Sequence, residues 1–395
     1  MTIKLLYVTN IPTPYRNKRF NVMQEVFEDR GIDLRVAFMA WTEPNRHWRF
    51  TGAEMQFDYR VYRGLHPTVA GIFAHVNPGI IGTVVRGQYD IIVIAGLASP
   101  SHWLATLAMR SSAVKLLSVE SNLSSVRRAT GASYAFKRQL IDRFDAYQVT
   151  GQRALDYVTH FAPDARRKPA VVLPNLIDEG VFVGEVDAAR RTASDVRAAY
   201  GVSSETQLWV CPARLERVKG LQSFLPHLKG IPNVRLLVAG DGTLRRELQL
   251  QIDRLLLPVK LIGHCSEAEI VRLYAAADLF VLPSLSDPSP LSPIEASAAG
   301  LPLLISDRIG NADDLIDRRT LPNGWLFDPE VEPSSGIADL LRSIAGMPQS
   351  TLRSMGECSR ARYREHFDTR RNVEQYAENL LGLVRQARAS RLERH

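Results

Sequence analysis

Two carboxylates, Asp287 and Glu295, stand eight residues apart in the stretch Ser284-Leu-Ser-Asp-Pro-Ser-Pro-Leu-Ser-Pro-Ile-Glu-Ala-Ser-Ala-Ala-Gly-Leu-Pro302. The apolar run Asp278-Leu-Phe-Val-Leu-Pro283 before it reads as a buried strand, and the helix after it ends at Gly300. In an open parallel sheet, ligands bind at the mouth beyond the strands' carboxyl ends. Ser292-Pro-Ile-Glu295 has the form of a capping box, with Ser292 as N-cap, Pro293 in the first helical position and Glu295 reaching back. That accounts for Glu295 structurally, yet the same helix start exposes N–H groups that attract phosphate. Asp287 precedes a proline and the helix, so it should project into the mouth of the sheet. A polar turn residue is its other reading.

Three more loops carry similar chemistry. Cys211-Pro-Ala-Arg-Leu-Glu-Arg-Val-Lys-Gly220 follows a strand and sets Arg214 and Lys219 on a strand-to-helix loop. Two fixed cations there suit a diphosphate, although a solvated basic loop would look the same. In Val238-Ala-Gly-Asp-Gly-Thr-Leu244, Gly240 and Gly242 permit a sharp turn and close backbone approach. This is no dinucleotide fingerprint, because Arg245 stands where a third glycine would. Ile262-Gly-His-Cys-Ser-Glu-Ala-Glu269 places Gly263 and His264 ahead of a second capping box, Ser266-x-x-Glu269. Its backbone could meet a nucleobase, or it is a capped loop and nothing more. Toward the N-terminus, Arg16 could reach phosphate with its side chain or belong to a plain helix start. Glu120 is placed to orient an acceptor or take a proton, or to be a hydrogen-bonded loop acid. His102 reads as part of a helix start.

The elements that must position these residues alternate. Candidate strands are Lys4–Thr9, Leu34–Phe38, Ile91–Ala95, Lys115–Val119, Ala146–Thr150 and Val171–Leu173, then Leu208–Pro212, Arg235–Ala239, Lys260–Ile262, Leu279–Leu282 and Leu303–Ile305. Helical patterns lie between them, which implies right-handed crossovers and parallel sheets. The alternation breaks over the polar segment from Pro174 to Ser204, so two doubly wound α/β domains with a cleft between them are expected. Their bounds read as 1–185 and 186–365, followed by a C-terminal helix, 366–395, able to pack back on the first domain.

Residues 1–180 carry 22 basic and 15 acidic side chains, whereas residues 181–395 carry 27 of each. The formal excess of +7 is therefore N-terminal. Arg127, Arg128, Lys137 and Arg138 belong to its densest stretch. That stretch is either a solvated face or a surface for an anionic membrane or acidic acceptor; without interleaved aromatics or a recognised motif, nucleic acid is not expected. There is no apolar run of about 18 residues, and the N-terminus reads as a strand with no leader pattern. Three scattered cysteines point to a reduced, cytoplasmic setting.

The order Ala-Arg-Leu-x3-Lys-Gly, Gly-x-Gly-x-Leu, Gly-x5-Glu, then an acid, seven residues and Glu, resembles the donor half of glycosyltransferase family 4. The resemblance covers residues 205–330 closely and 1–200 only in topology. It implies a GT-B fold, two Rossmann-like domains, and a retaining, metal-independent glycosyltransferase using a UDP- or GDP-sugar as co-substrate and no other cofactor. Arg214 and Lys219 would hold the diphosphate, and Asp287 the donor sugar hydroxyls. The amides of Leu291 and Ser292 would approach the sugar or phosphate, and Glu295 the ribose. Gly240, Gly242, Gly263 and His264 would line the nucleoside pocket. The family's first motif acid is usually Glu; Asp287 shortens that reach by one methylene. The glycine pair common after the first strand is also missing here, with Thr13, Pro14, Tyr15 and Arg16 in its place. The resemblance further implies a glycan or polyprenyl- or lipid-linked acceptor in cell-surface polysaccharide, lipopolysaccharide or glycolipid assembly, at the inner face of a membrane. An epimerase of the same fold and a non-catalytic sugar-nucleotide-binding protein are the alternatives.

Overall fold

The structure, a computed structural model, describes residues 2–43, 52–69, 72–110, 112–126, 131–317, 322–330 and 335–393. The chain forms two compact units: Met1–Leu176 with Thr369–His395, and Ile177–Asp368.

In the first unit a parallel sheet runs in the order β3-β2-β1-β4-β5-β6-β7. Its strands are β1 (Ile3–Thr9), β2 (Ile32–Phe38), β3 (Asp58–Val61), β4 (Ile91–Ala95), β5 (Val114–Val119), β6 (Ala146–Val149) and β7 (Ala170–Val172). Strand order reverses between β1 and β4, so the loops after these two strands flank this sheet's switch point. The C-terminal helix Thr369–Leu392 belongs to this unit. Val373, Tyr376, Ala377, Leu380 and Val384 recur at helical spacing and are buried. Each fully buried side chain of Leu or Val size is worth about 1.5–3 kcal/mol. Tyr376 stacks on Phe27 at 6.2 Å and donates to Gln148 Oε1 at 2.7 Å.

In the second unit the order is β10-β9-β8-β11-β12-β13. The strands are β8 (Gln207–Pro212), β9 (Val234–Ala239), β10 (Val259–Gly263), β11 (Leu279–Leu282), β12 (Leu303–Ser306) and β13 (Gly324–Phe327). All are parallel. Both faces are covered, which is why Leu208-Trp-Val-Cys211 and Leu279–Leu282 read as unbroken apolar runs. The switch point lies between β8 and β11.

Every strand expected from the sequence is present; β3, β13 and a short antiparallel pair, Thr68–Val69 with Ile72–Phe73, were not expected. The segment expected to be a polar break holds the helices Glu179–Ala189 and Ala193–Ala199. The first packs Phe182 and Val186 onto the second unit's core, so the division falls after Leu176 rather than at residue 185. Its apolar positions are too few and too irregular to form a stripe in the sequence.

Candidate functional site

The second unit's site grows from loops at the carboxyl edge of its sheet. After β8, the chain turns at Arg214 and runs to a left-handed Gly220 at φ 70°. A β-carbon at Gly220 would lie 2.0 Å from the Pro283 carbonyl oxygen, so only glycine lets this loop press against the one after β11. The contact crosses the switch point. Leu285 N–H then donates to the Val218 carbonyl at 2.9 Å, and Gly310 N–H donates to the Asp287 carbonyl at 2.8 Å. Held this way, Asp287 meets Lys219 in an ion pair. Each side chain is 15% exposed. Arg214 is exposed, with no side-chain partner among the described residues.

After β9, Gly240 has φ 151°, and a β-carbon there would sit 2.1 Å from the Ala213 carbonyl oxygen. Gly242 is similarly crowded by Leu215. The close approach these glycines allow is to the neighbouring loop's backbone. Leu215 N–H donates to the Asp241 carbonyl at 2.9 Å, and Gly240 N–H donates to the Gly263 carbonyl at 2.7 Å. Thr243 Oγ1 donates to Glu216 Oε2 at 2.8 Å. Three loops are thereby fastened into one wall, with His264 exposed beside it.

Glu295 differs from expectation. The helix Ser292–Ala298 starts one residue earlier than the capping box requires: Leu291 is the N-cap, no side chain caps it, and Glu295 N–H bonds the Leu291 carbonyl at 2.9 Å. Pro293 at the second position supplies the pre-set φ without a capping hydroxyl. The Glu295 carboxylate instead receives the hydroxyl of Tyr274, which lies 3.0 Å from Oε2 and shares its proton with the Ser292 carbonyl at 3.1 Å. Tyr274 is fully buried, and burial, with Glu295 adding to it, pushes its phenol far above the usual range. It stays a neutral donor. Nothing in the sequence pairs Tyr274 with Glu295, because the helix Glu267–Ala276 reads as an ordinary amphipathic segment. The second capping box is present: Glu269 N–H donates to Ser266 Oγ at 3.4 Å, and Ser266 N–H to Glu269 Oε2 at 2.7 Å.

The first unit holds a separate polar group. Arg16, in the first turn of the helix Pro14–Glu28, donates to Asn10 Oδ1 at 2.7 Å and lies 3.6 Å from Glu120 Oε2. Glu43 Oε1 accepts from Asn10 at 2.8 Å and faces His75 Nε2 at 3.2 Å. His102 lies inside the helix Pro100–Ala108, where burial pushes its imidazole down to about 3, with His75 and Arg16 reinforcing this. Lys137 is half-buried, its ammonium over the rings of Tyr157 and Phe161 at 4.7 and 4.5 Å. It is therefore not part of an open basic face. Arg138 is exposed. Arg127 and Arg128 lie outside the described residues. Among the described residues, no group of three or more His, Cys, Asp or Glu could hold a metal ion, and no helix is long and apolar enough to cross a membrane.

Residues 194–361 match the family of glycosyl transferases group 1. Glycogen synthase of Mycobacterium tuberculosis is 32% identical over 201 residues, 49% of this chain and 46% of that protein. N-acetyl-alpha-D-glucosaminyl L-malate synthase of Bacillus anthracis is 26% identical over 206 residues, 51% of each chain. The chain thus spans about half the length of the curated relatives it matches. Among solved structures, Anabaena HepE in complex with UDP superimposes with a TM-score of 0.72 at 20% identity, covering 97% of this chain and 100% of that one. The two Rossmann-like units are those of the GT-B fold.

Proposed function

We propose, from the premise that this chain is a family-4-like glycosyltransferase with a glycosyl transferases group 1 domain at residues 194–361, that it moves a sugar from a nucleotide-diphosphate sugar to a glycan or lipid-linked acceptor with retention of anomeric configuration. One observation carries the reading. At the β8/β11 switch point an exposed arginine, a lysine–aspartate pair and a tyrosine-anchored glutamate converge on one sheet edge. Cations, a helix start and two carboxylates suit a nucleoside diphosphate bearing a hydroxylated ring.

The chemistry follows from these residues. Arg214 and Lys219 stabilise the diphosphate as negative charge builds on its leaving oxygen. Lys219 must leave Asp287 to do so, and Asp287 then accepts from sugar hydroxyls. Glu295, oriented by Tyr274, takes the ribose hydroxyls. The acceptor hydroxyl attacks on the face from which the diphosphate departs, and the departing phosphate takes its proton. Positioning and fixed charge do most of the work, without a dedicated base or a metal. Complexes of HepE with UDP and with UDP-glucose make UDP-sugars the first donors to try. Glu120 would orient the acceptor, and Arg16 would be the first unit's phosphate-reaching side chain. Arg138, with Arg127 and Arg128, would favour an anionic membrane on its cytoplasmic side, as suits assembly of a cell-surface polysaccharide or glycolipid.

Lys219→Ala tests the reading. Transfer from a UDP-sugar whose binding raises the protein's melting temperature should fall by about two to three orders of magnitude, as for loss of one charge-stabilising donor, with the melting curve still cooperative. Near-normal turnover would remove Lys219 from the mechanism.

A further inference from the structure

A cavity of about 340 Å³ opens at the other end of the second unit's sheet. Asp278, just before β11, and Gly300-Leu-Pro302, just before β12, line it, so it adjoins the amino ends of these strands and not the donor edge. Arg190, Arg197 and Arg353 also line it. Asp278 is paired with Arg197 at 2.9 Å. Arg197 donates as well to the Ala276, Ser203 and Thr206 carbonyls, so it is a fixed wall. Arg353 is exposed and has no hydrogen bond or ion pair among the described residues. The lining thus has three guanidinium groups and one carboxylate, and that carboxylate is already paired.

Arg190 links this cavity to the helix Ser292–Ala298. Its Nη2 donates to the Ala299 carbonyl at 2.5 Å, while its Nε lies 3.4 Å from Asp187. Arg360 donates to the Ala298 carbonyl at 3.1 Å and to Asp187 at 2.9 Å. Two cations therefore crowd the carboxyl end of a seven-residue helix whose first turn bears Glu295. Burial lowers the Arg190 pKa, and repulsion from Arg360 lowers it further. An anion beside Arg190 would relieve that repulsion. It would also compete with the Ala299 carbonyl for the guanidinium. At 1.5 Å per residue the helix is only about 10 Å long, so a shift at one end reaches the other.

We infer that this arginine-lined cavity binds a small molecule bearing a phosphate group, and that its occupancy is coupled to the donor edge through the helix Ser292–Ala298. The volume suits a ligand at the small end of ordinary metabolite sites. Binding does not depend on the proposed transferase reaction; the coupling does depend on the proposed donor site.

Calorimetric titration of the full chain with inorganic phosphate and with glucose 6-phosphate tests both. Lys219→Ala, which weakens the donor loops, should retain an anion site, and Arg353→Glu should lose at least tenfold in affinity at that site. Tighter binding of the sugar phosphate would identify an ester as the ligand; equal binding would identify the free ion. No binding, or undiminished binding by the Arg353→Glu variant, overturns the site. With phosphate present, the Kd for UDP should change by about fivefold or more beyond the change seen in Arg353→Glu, the lower range of allosteric coupling, because competition at the donor edge is common to both proteins. An unchanged Kd, or an equal change in both proteins, overturns the coupling, while absence of any UDP binding would count against the donor reading and leave the anion titration intact.

Discussion

Replacing Asp287 by Asn should make the protein bind UDP more tightly while it transfers sugar more poorly. Lys219 is held by Asp287, and both side chains are 15% exposed. A diphosphate must win the lysine from that carboxylate. Two unit charges 4 Å apart attract by about 4 kcal/mol at an effective dielectric of 20. Much of this is offset by the desolvation already imposed on both groups, leaving about 1–2 kcal/mol to be returned to the ligand. The amide should therefore lower the Kd for UDP by about 5–30-fold. The loop itself is kept, because Gly310 N–H holds the Asp287 carbonyl and Val218 holds Leu285 through backbone alone. Turnover with a UDP-sugar should fall in the same variant, since the residue assigned to the sugar hydroxyls has lost its charge. Calorimetry with UDP, alongside transfer assays, reads both effects. If Asp287→Asn weakens UDP binding as Lys219→Ala does, Asp287 holds the nucleotide and does not compete for the lysine, and the reasoning fails.

Tyr274→Phe removes the hydroxyl that orients Glu295; loss of a hydrogen bond to a charged group, about 1.5–3 kcal/mol, should raise the Kd for UDP at least tenfold. An unaltered Kd would mean that Glu295 does not need the tyrosine. Gly240→Ala places a methyl 2.1 Å from the Ala213 carbonyl oxygen, and overpacking of this kind costs about 1–3 kcal/mol. A lowered urea midpoint should record it, and an unchanged midpoint would show that the loops can part without penalty. His102, pushed down to about 3 by burial, is neutral in the folded state while the unfolded chain protonates it near 6.5. Its contribution is complete above that pH and is lost as pH falls from 6.5 toward 3, by about 1.4 kcal/mol per unit. Melting temperatures of His102→Gln should therefore decline less steeply on acidification than those of the parent; parallel curves would place the acid sensitivity elsewhere.

Legibility from sequence followed the range of the interaction concerned. Leu208–Val210, Leu279–Leu282 and Leu303–Ile305 are short apolar runs whose burial on both faces leaves a local trace. So is Ser266-x-x-Glu269, whose two cap bonds span three residues. The other apparent cap, Ser292-x-x-Glu295, misled because the same letters allow the helix to start at Leu291 once Tyr274 offers Glu295 a different partner. The basic stretch misled in part as well, since Lys137 lies against two rings from a helix later in the chain.

Residue types and spacing alone determined the alternation of strands and helices, the set of loops that share the second unit's carboxyl edge, and the chemistry those loops can offer. Tertiary structure decided which groups meet. Lys219 and Asp287 are 68 positions apart, and Tyr274 and Glu295 are 21 apart. The first pair exists because parallel crossovers bring the ends of β8 and β11 to one edge and Gly220 lets the backbones there touch; the second exists because the helices before and after β11 bring Tyr274 to Glu295. A local pattern records the propensity of a segment; it carries no record of a contact whose two halves are joined only by the sheet.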